Sequence, residues 1–380
     1  MENWISIWML VFEFSALAYL LVMLLISMGW YLTKVFDPLP ISNFPKVSVV
    51  IAVRNEAENI NDLLTSLLHQ TYPKNSFEII IVDDNSDDKT LDIVKKFKVE
   101  NTDLNMRTIL SSGQGKKEAL KDGFEATDTE IIITTDGDCI VGNDWIKNYV
   151  SFLENDDVQL AFGPVFYHHN KNLIQKIFSL EFSTLVASGA GSAGLNLPLM
   201  GNGANMAFRK STYDKIKSKL SGTKFASGDD VFLMHSIATN FGNKSVKFIK
   251  NMESIVETSA PENFTTFLNQ RLRWGSKAKA YKRIWPMTVS LVVFLFNVLL
   301  GVTALLSFFK LWFLAVFVLF VILKFLIDFP LTRNFLKFYN RSLNAILLFP
   351  FEFFYPFYIM ITALFSIFIP YQWKGRKRVK

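Results

Sequence analysis

Hydrophobic residues are concentrated at the two ends of the chain, in stretches long enough to cross a lipid bilayer. Residues 5–31 contain no lysine or arginine and a single acid, Glu13. A helix of that length, rising about 1.5 Å per residue, exceeds the roughly 30 Å of a hydrocarbon core. The pattern predicts a transmembrane anchor within residues 1–35 and about three C-terminal transmembrane segments within residues 287–372, at 287–309, 311–329 and 343–369.

The charges beside these stretches predict how the chain crosses the membrane. Positions 1–4 carry no basic residue and no small-residue cleavage site follows the first stretch, so we expect an anchor and not a cleaved signal peptide. The first lysine, Lys34, favours an external N-terminus and a cytoplasmic chain from residue 35 onward. Three C-terminal passes would place the basic tail, 373–380, outside. Since Pro350 and Pro356 interrupt the last stretch, a broken or re-entrant element that returns the tail to the cytoplasm is the alternative.

Two ionisable residues lie inside one of the apolar stretches. Lys324 and Asp328 are four positions apart, near the end of the stretch 311–329 that this topology places at the cytoplasm. Residues at that spacing face each other on a helix. We expect them to pair or to reach the membrane interface, and not to line a transport path.

Composition adds expectations about partners and compartment. The net charge of +6 would suit a nucleic-acid-binding protein. The basic residues, however, cluster beside the apolar stretches, where anionic headgroups attract them, so we expect membrane contact and no nucleic acid. The single cysteine, Cys139, excludes an internal disulfide and fits a reducing compartment. We therefore expect an integral, multi-pass protein of a bacterial inner membrane with a cytoplasmic middle domain. The clustered basic residues are Lys277, Lys279, Lys282, Arg283, Lys374, Arg376, Lys377, Arg378 and Lys380.

Between the apolar ends, residues 43–258 alternate short β-branched runs with segments of helical period. This alternation predicts a doubly wound, mostly parallel α/β sheet, in which ligands bind at the carboxyl ends of the strands. Asp83 and Asp84 close one predicted strand, and Asp136 and Asp138 close another. No Gly-x-Gly-x-x-Gly motif follows the first predicted strand, and no Walker-type Gly-Lys-Ser/Thr loop is present. The predicted strands are 46–53, 77–82, 104–110 and 130–135, and the helices are 59–70, 89–97 and 116–126.

The triplet Asp136-Gly137-Asp138 has the residue types that bind a divalent cation and a phosphorylated ligand. Carboxylate oxygens suit Mg²⁺ or Mn²⁺, and such an ion neutralises the charge of a diphosphate leaving group. The glycine allows the backbone to turn so that one aspartate faces the nucleotide and the other the metal. Such triplets also occur in ordinary turns, so the triplet by itself is a weak signal.

Several motifs in one order make the signal specific. They are VIAVRNEAENI (50–60), VDDNSDDKT (82–90), GKKEALKDG (115–123), DGDC (136–139), GNGANMAFRK (201–210), SGDD (227–230) and QRLRW (270–274). Through these segments, residues 45–275 closely resemble the inverting family-2 glycosyltransferases of GT-A fold, especially the membrane group with the pattern D, DxD, D, QxxRW. That group includes the cellulose, hyaluronan and poly-N-acetylglucosamine synthases and ceramide glucosyltransferase. One departure is Lys121, where the family usually has asparagine.

The resemblance implies a role for each matching residue. Glu56 and Asp84, or Asp83, would contact the base and ribose, and Lys116 would lie near the base or diphosphate. Asp136 would contact the nucleotide, Asp138 the metal, and Asp230 would be the general base. In the interfacial helices expected at 259–286, Gln270 and Arg273 would hold the diphosphate and Trp274 would stack on the acceptor. The residues concerned are thus Glu56, Asp83, Asp84, Lys116, Asp136, Asp138, Asp230, Gln270, Arg273 and Trp274.

Several of these residues also have an ordinary structural interpretation. Asp83 and Asp84 are suited to cap the following helix, and for Asp229 the role of N-cap of a helix at 231–241 is favoured. A lysine in the first turn of a helix, such as Lys116, opposes the helix dipole, which favours a phosphate ligand. Trp274 is equally suited to an interfacial aromatic belt. The helix expected at 171–190 would border the acceptor site or simply pack in the core.

The function implied is an inverting, metal-dependent transfer of a sugar from a nucleotide-sugar, expected to be UDP-linked. The acceptor would be a membrane lipid or a glycan at the cytoplasmic membrane face. A processive polysaccharide synthase is the alternative, although about three C-terminal helices are few for an export channel. A transporter would be expected to contain inverted repeats, and this sequence shows none. A non-catalytic nucleotide-sugar-binding protein is the remaining alternative, and it would be expected to have lost Asp230 or Arg273.

Overall fold

The computed structural model describes residues 2–41, 43–168, 172–220, 228–342, 344–368, 372–373 and 376–377. The chain forms two compact units. The helical unit comprises Met1–Leu32, Asn170–Leu195 and Pro261–Lys380, and the α/β unit comprises Thr33–His169 and Asn196–Ala260. The helices are α1 (Glu2–Leu32), α2 (Ile60–Leu68), α3 (Thr90–Glu100), α4 (Lys116–Glu125), α5 (Trp145–Leu153), α6 (Leu173–Gly194), α7 (Lys210–Ile216), α8 (Asp229–Phe241), α9 (Phe264–Gly275), α10 (Ile284–Leu306), α11 (Trp312–Phe338) and α12 (Leu348–Phe368).

The α/β unit is built on a seven-stranded sheet of order β3-β2-β1-β4-β8-β6-β9. The four strands β3, β2, β1 and β4 are parallel, and β8 runs antiparallel to both of its neighbours. The strands are β1 (Val47–Val53), β2 (Phe77–Asp83), β3 (Met106–Leu110), β4 (Ile131–Asp136), β5 (Cys139–Val141), β6 (Leu160–Phe162), β7 (Val165–His168), β8 (Met206–Arg209), β9 (Val246–Phe248), β10 (Val256–Ser259), β11 (Gln372–Trp373) and β12 (Arg376–Lys377).

The β-branched runs became strands because both faces of the sheet are covered. Residues of β1, β2 and β4 are almost all buried, as expected for near-continuous apolar strands in a parallel sheet. The predicted alternation is confirmed, with the third strand beginning at Met106 instead of residue 104. A second, three-stranded sheet of order β5-β10-β7 was not predicted, because its strands are short and paired over long sequence separations.

The helical unit contains four helices that are long and apolar enough to cross a membrane, among the residues described: Ile5–Leu32, Ile284–Leu306, Trp312–Phe338 and Leu348–Ser366. The alternative of a broken last element is not observed, because α12 is one continuous helix. Pro350 lies in its first turn, where the missing N–H is not needed, and Pro356 lies within it. Most of the basic tail falls at positions 374–375 and 378–380, outside the described residues.

Helices α1 and α6 pack closely through glycines. A Cβ atom placed on Gly29 would lie 1.9 Å from the carbonyl oxygen of Gly191, and one on Gly191 would lie 2.1 Å from the carbonyl oxygen of Ile26. Small residues allow helix backbones to approach this closely, as is common between membrane helices. The small-residue run of α6 therefore serves helix packing, and the helix continues to Gly194, past the expected end at residue 190.

A buried ionic cluster joins α1, α11 and α12. Lys324 Nζ donates to Asp328 Oδ2 at 2.7 Å and to Glu352 Oε2 at 2.6 Å, and the Tyr19 hydroxyl donates to Asp328 Oδ2 at 2.6 Å. The predicted pairing of Lys324 with Asp328 is present. Their expected position near a helix end is wrong, because α11 continues to Phe338 and leaves both residues near its middle. Both side chains are buried within the helical unit, where Glu352 supplies a second carboxylate to Lys324.

Candidate active site

The candidate site lies in the α/β unit, where the order of strands reverses. From β1 the chain adds β2 and β3 on one side, and then crosses to add β4 on the other. Ala52 of β1 pairs with Asp136, the last residue of β4, and Val53 pairs with Asp83, the last residue of β2. A switch point of this kind leaves a crevice at the carboxyl ends of the strands, which is where ligands bind in such sheets.

Gly137 brings the Asp-Gly-Asp turn against Glu56. A Cβ atom on Gly137 would lie 2.8 Å from Glu56 Cγ, so that any other residue there would force the Glu56 side chain to move. Glu56 is buried: its backbone N–H donates to Thr90 Oγ1 at 2.8 Å, and its Oε2 accepts from Asn59 Nδ2 at 3.1 Å. The glycine of the triplet therefore leaves room for the Glu56 side chain. Its φ is not positive, so the expectation that the turn itself requires glycine is not borne out.

Asp83 and Asp84, which the sequence left as alternatives, have different surroundings. Both oxygens of Asp83 accept from the N–H of Ser86 at 3.2 Å, and Oδ1 also accepts from the Ser86 hydroxyl at 2.5 Å. Asp84 Oδ1 accepts from the N–H of Gly115 at 2.9 Å, immediately before α4. Asp83 thus closes its own turn, whereas Asp84 fixes the start of the helix that carries Lys116.

Lys116 lies among carboxylates. Its Nζ donates to Asp136 Oδ1 at 2.5 Å. Burial alone would lower the pKa of the Lys116 ammonium, but the carboxylates of Asp136, Asp229 and Asp230 outweigh it and raise that pKa above the ordinary lysine value. A partly buried cation held protonated at a ligand-binding edge is suited to neutralise phosphate oxygens. The same interactions connect α4, the end of β4 and the start of α8.

Asp138 is held by the second sheet. Its Oδ2 accepts from Thr258 Oγ1 at 3.1 Å, and Thr258 of β10 pairs with Cys139 of β5. Within the described residues no group of three or more His, Cys, Asp or Glu side chains could hold a metal ion. The oxygen donors of Asp138 and Asp136 nevertheless fit a hard divalent cation whose remaining ligands are phosphate oxygens and water, as is usual for Mg²⁺.

Asp230 faces the loop before β8. Its Oδ2 accepts from the N–H of Gly203 at 3.3 Å, and Thr134 of β4 donates to the carbonyl oxygen of Gly203 at 2.7 Å. The expectation that Asp229 is an N-cap is wrong. Helix α8 begins at Asp229 itself, and the cap position is taken by Gly228 at φ +97°, a left-handed conformation that glycine adopts readily. Ser227 of the SGDD motif lies outside the described residues.

Asn205 is a buried structural centre that sequence reasoning did not single out. Its Nδ2 donates to the carbonyl oxygens of Pro164 and Ser254, both at 2.8 Å. Its Oδ1 accepts from Trp145 Nε1 at 2.9 Å and from the Tyr149 hydroxyl at 2.7 Å. These bonds hold the loop that presents Gly203 to Asp230. The only signal in the sequence was the position of Asn205 inside the matching segment 201–210.

The remaining predicted site residues, Gln270, Arg273 and Trp274, lie on α9 of the helical unit. Gln270 Oε1 accepts from Arg271 Nη1 at 2.6 Å. The Trp274 ring lies 4.3 Å from the guanidinium carbon of Arg271 and 5.9 Å from the Phe182 ring. The side chain of Arg273 is partly exposed. The roles of these three residues stay predictions from the resemblance.

Comparisons with known proteins agree with the fold. Residues 48–217 match the family described as Glycosyl transferase family 2. Glycosyltransferase AglE of Haloferax volcanii is 37% identical over 124 residues, which are 33% of this chain and 40% of that protein. Probable glycosyltransferase YdaM of Bacillus subtilis is 30% identical over 239 residues, 61% of this chain and 54% of that protein. The chain thus spans about half the length of these relatives.

Among solved structures, mannosyltransferase PcManGT from Pyrobaculum calidifontis, in complex with GDP-Man and Mn²⁺, has a TM-score of 0.61 at 17% identity, covering 96% of this chain and 98% of that one. The central sheet and this likeness define a GT-A-like mixed α/β domain. More particularly, residues 48–217 are a glycosyltransferase family 2 domain. The family-2 part of the resemblance is therefore confirmed.

Proposed function

We propose that this protein is a membrane-anchored, inverting glycosyltransferase that moves a sugar from a nucleotide-sugar to a lipid or glycan acceptor at the cytoplasmic membrane face. The observation that carries the proposal is the cluster at the switch point of the sheet. Asp136 and Lys116 are bonded there, and Asp230 lies within electrostatic reach of Lys116. At this edge the Lys116 cation is suited to bind a diphosphate, and the Asp230 carboxylate is suited to activate a hydroxyl.

In this mechanism Asp230 accepts the proton of the acceptor hydroxyl. The acceptor oxygen forms a bond to the anomeric carbon as the bond from that carbon to the phosphate oxygen breaks. The electron pair leaves with the nucleoside diphosphate, whose charge Lys116 partly neutralises. A divalent cation held by Asp138, Mg²⁺ or Mn²⁺, would supply further neutralisation of the diphosphate. Glu56 and Asp84 are proposed to contact the nucleoside, and Gln270 and Arg273 the diphosphate.

The fate of radiolabelled donors tests the proposal. Membranes that contain the protein are incubated with a panel of UDP- and GDP-sugars, and lipid extracts are separated by thin-layer chromatography. We expect one labelled lipid product from one donor, its loss in EDTA, and its return with Mg²⁺ or Mn²⁺. A matched control is Asp214→Asn, which removes an exposed acid paired with Lys210 and Lys217 and should leave transfer unchanged. A ladder of long products would favour a processive synthase, and no transfer from any donor, or full transfer in EDTA, would contradict the proposal.

A further inference from the structure

Arg271, which lies within the QRLRW segment at 270–274, is buried in the helical unit and bonded to an acid of another helix. Only 4% of its side chain is exposed, and the same holds for Glu181 of α6. Arg271 Nε donates to both carboxylate oxygens of Glu181 at 3.1 Å, and Nη2 donates to Oε2. The Tyr358 hydroxyl of α12 lies 3.3 Å from Glu181 Oε1. The carboxylate thus accepts from two residues, Arg271 and Tyr358, and its bonds to Nε and Nη2 give the guanidinium a fixed orientation.

The rest of the guanidinium contacts two of the predicted site residues. Nη1 donates to Gln270 Oε1 at 2.6 Å, and the ring of Trp274 lies 4.3 Å from the guanidinium carbon. The ring of Phe267 lies 4.6 Å from the same carbon. A single group therefore reaches the amide of Gln270 and the indole of Trp274 while Glu181 holds it in place.

Only arginine can make these contacts together. The guanidinium is planar, carries five donors and stacks on aromatic rings, whereas a lysine ammonium is a compact point charge without a stacking face. A buried ion pair that served stability alone would be replaceable, because such pairs exchanged for apolar residues of similar volume often leave a protein as stable or more stable. Stability alone therefore does not account for a guanidinium shared between Gln270 and Trp274.

We propose that Arg271 is a positioning residue, whose guanidinium fixes the Trp274 indole for the acceptor and the Gln270 amide for the diphosphate. This inference rests on the proposed function. Arg271 itself contacts neither substrate. Since a misplacement of about 1 Å costs on the order of 100-fold in rate, loss of the guanidinium should impair transfer strongly even when the fold is kept.

Two variants separate positioning from stability. Arg271→Lys keeps the charge beside Glu181 but loses the stacking face, and the double variant Arg271→Met with Glu181→Leu removes the ion pair without leaving a buried charge. For both we expect kcat/KM for the acceptor to fall on the order of 100-fold. The thermal unfolding of the double variant should stay close to that of the wild type. The matched control is Arg107→Lys, which alters another arginine–glutamate pair, with Glu78, that contacts none of the proposed site residues. Normal transfer by the double variant would show that Arg271 serves stability only and would overturn the proposal.

A spectroscopic measurement tests the inference without any transfer. Protein labelled with 5-fluorotryptophan should give a ¹⁹F resonance for Trp274, assigned by its loss in Trp274→Phe. We expect this resonance to shift or broaden in Arg271→Lys and to stay unchanged in Arg107→Lys. An unchanged Trp274 resonance in Arg271→Lys would overturn the positioning role whether or not the wild type transfers sugar. A wild type without transfer, but with the expected ¹⁹F change, would contradict only the proposed function.

Discussion

At the scale of single residues, each aspartate of the candidate site has its own hydrogen-bond partner. Asp83 is occupied by Ser86, and Asp84 by the N–H of Gly115. Asp136 is bonded to Lys116, and Asp138 accepts from Thr258. Neighbouring acids of the same type therefore have distinct tasks, because the backbone of each strand end points them at different partners.

The first prediction concerns the two aspartates at the start of α8. Asp230→Asn keeps the shape, and its amide oxygen can still accept from the Val231 N–H that Asp230 Oδ1 now accepts from at 2.8 Å. Because a general base is lost, transfer should fall about 10²–10⁴-fold while UDP affinity stays nearly unchanged. The measurement is the transfer rate and the UDP affinity of Asp230→Asn, compared with those of Asp229→Asn and the wild type.

Asp229→Asn is the matched control. It removes a negative charge from the first turn of α8, where a carboxylate typically stabilises a helix by about 0.3–1 kcal/mol. The same charge lies near Lys116. We expect a smaller loss of transfer than in Asp230→Asn. If Asp229→Asn were inactive and Asp230→Asn turned over normally, the assignment of Asp230 as the general base would be wrong.

At the scale of the elements, the helical unit is held by close backbone contacts and by one ionic cluster. Gly29 and Gly191 allow α1 and α6 to touch, and Lys324 joins α11 to α12 through Asp328 and Glu352. Tyr19 ties α1 to the same cluster. Charges inside an apolar bundle are tolerated only when they are paired, so each member depends on the others.

The cluster gives a prediction about stability. Lys324→Met leaves Asp328 and Glu352 buried without their cation, and breaking a buried pair in this way typically costs about 3–5 kcal/mol. We expect a clearly lower unfolding temperature in detergent, followed by circular dichroism. The triple variant with Asp328→Leu and Glu352→Met as well should recover most of that loss. Lys310→Met, in the exposed turn before α11, is the control, and equal melting of Lys324→Met and Lys310→Met would exclude a structural role for the cluster.

At the scale of the whole molecule, four helices are long and apolar enough to cross a membrane, among the described residues. The side on which the α/β unit faces stays a prediction, which rests on Lys34 and on the basic residues before α10. Nucleotide-sugars are supplied in the cytoplasm, so the proposed function requires the same orientation.

Cysteine labelling tests that orientation. Lys98→Cys places a thiol at an exposed position of α3, and it should not react with a membrane-impermeant maleimide in intact cells. The native Cys139 should not react with the maleimide, because it is buried and because burial and the Asp138 and Asp136 carboxylates raise the pKa of its thiol. Lys310→Cys lies between α10 and α11, two helices long enough to cross a membrane. With the α/β unit in the cytoplasm this turn would be external, so its thiol should label readily. Ready labelling of Lys98→Cys in intact cells would reverse the assignment.

The sequence by itself determined the four parallel strands β1 to β4, the helices between them and the existence of the apolar helices. The runs that became β1, β2 and β4 consist mostly of β-branched and apolar residues. Such runs favour strands of a parallel sheet that is covered on both faces. It also placed Asp83, Asp84 and Asp136 at strand ends, because parallel strands end at one edge of a sheet.

Only the tertiary structure decided what the polar groups contact. The contact of Gly137 with Glu56, the support of Asp138 by Thr258 and the bond of Arg271 to Glu181 join segments far apart in the chain. No local pattern encodes such pairs, since their energy comes from burial and hydrogen bonding that exist only once the chain has folded. The same reason explains why Glu352 was not expected beside Lys324.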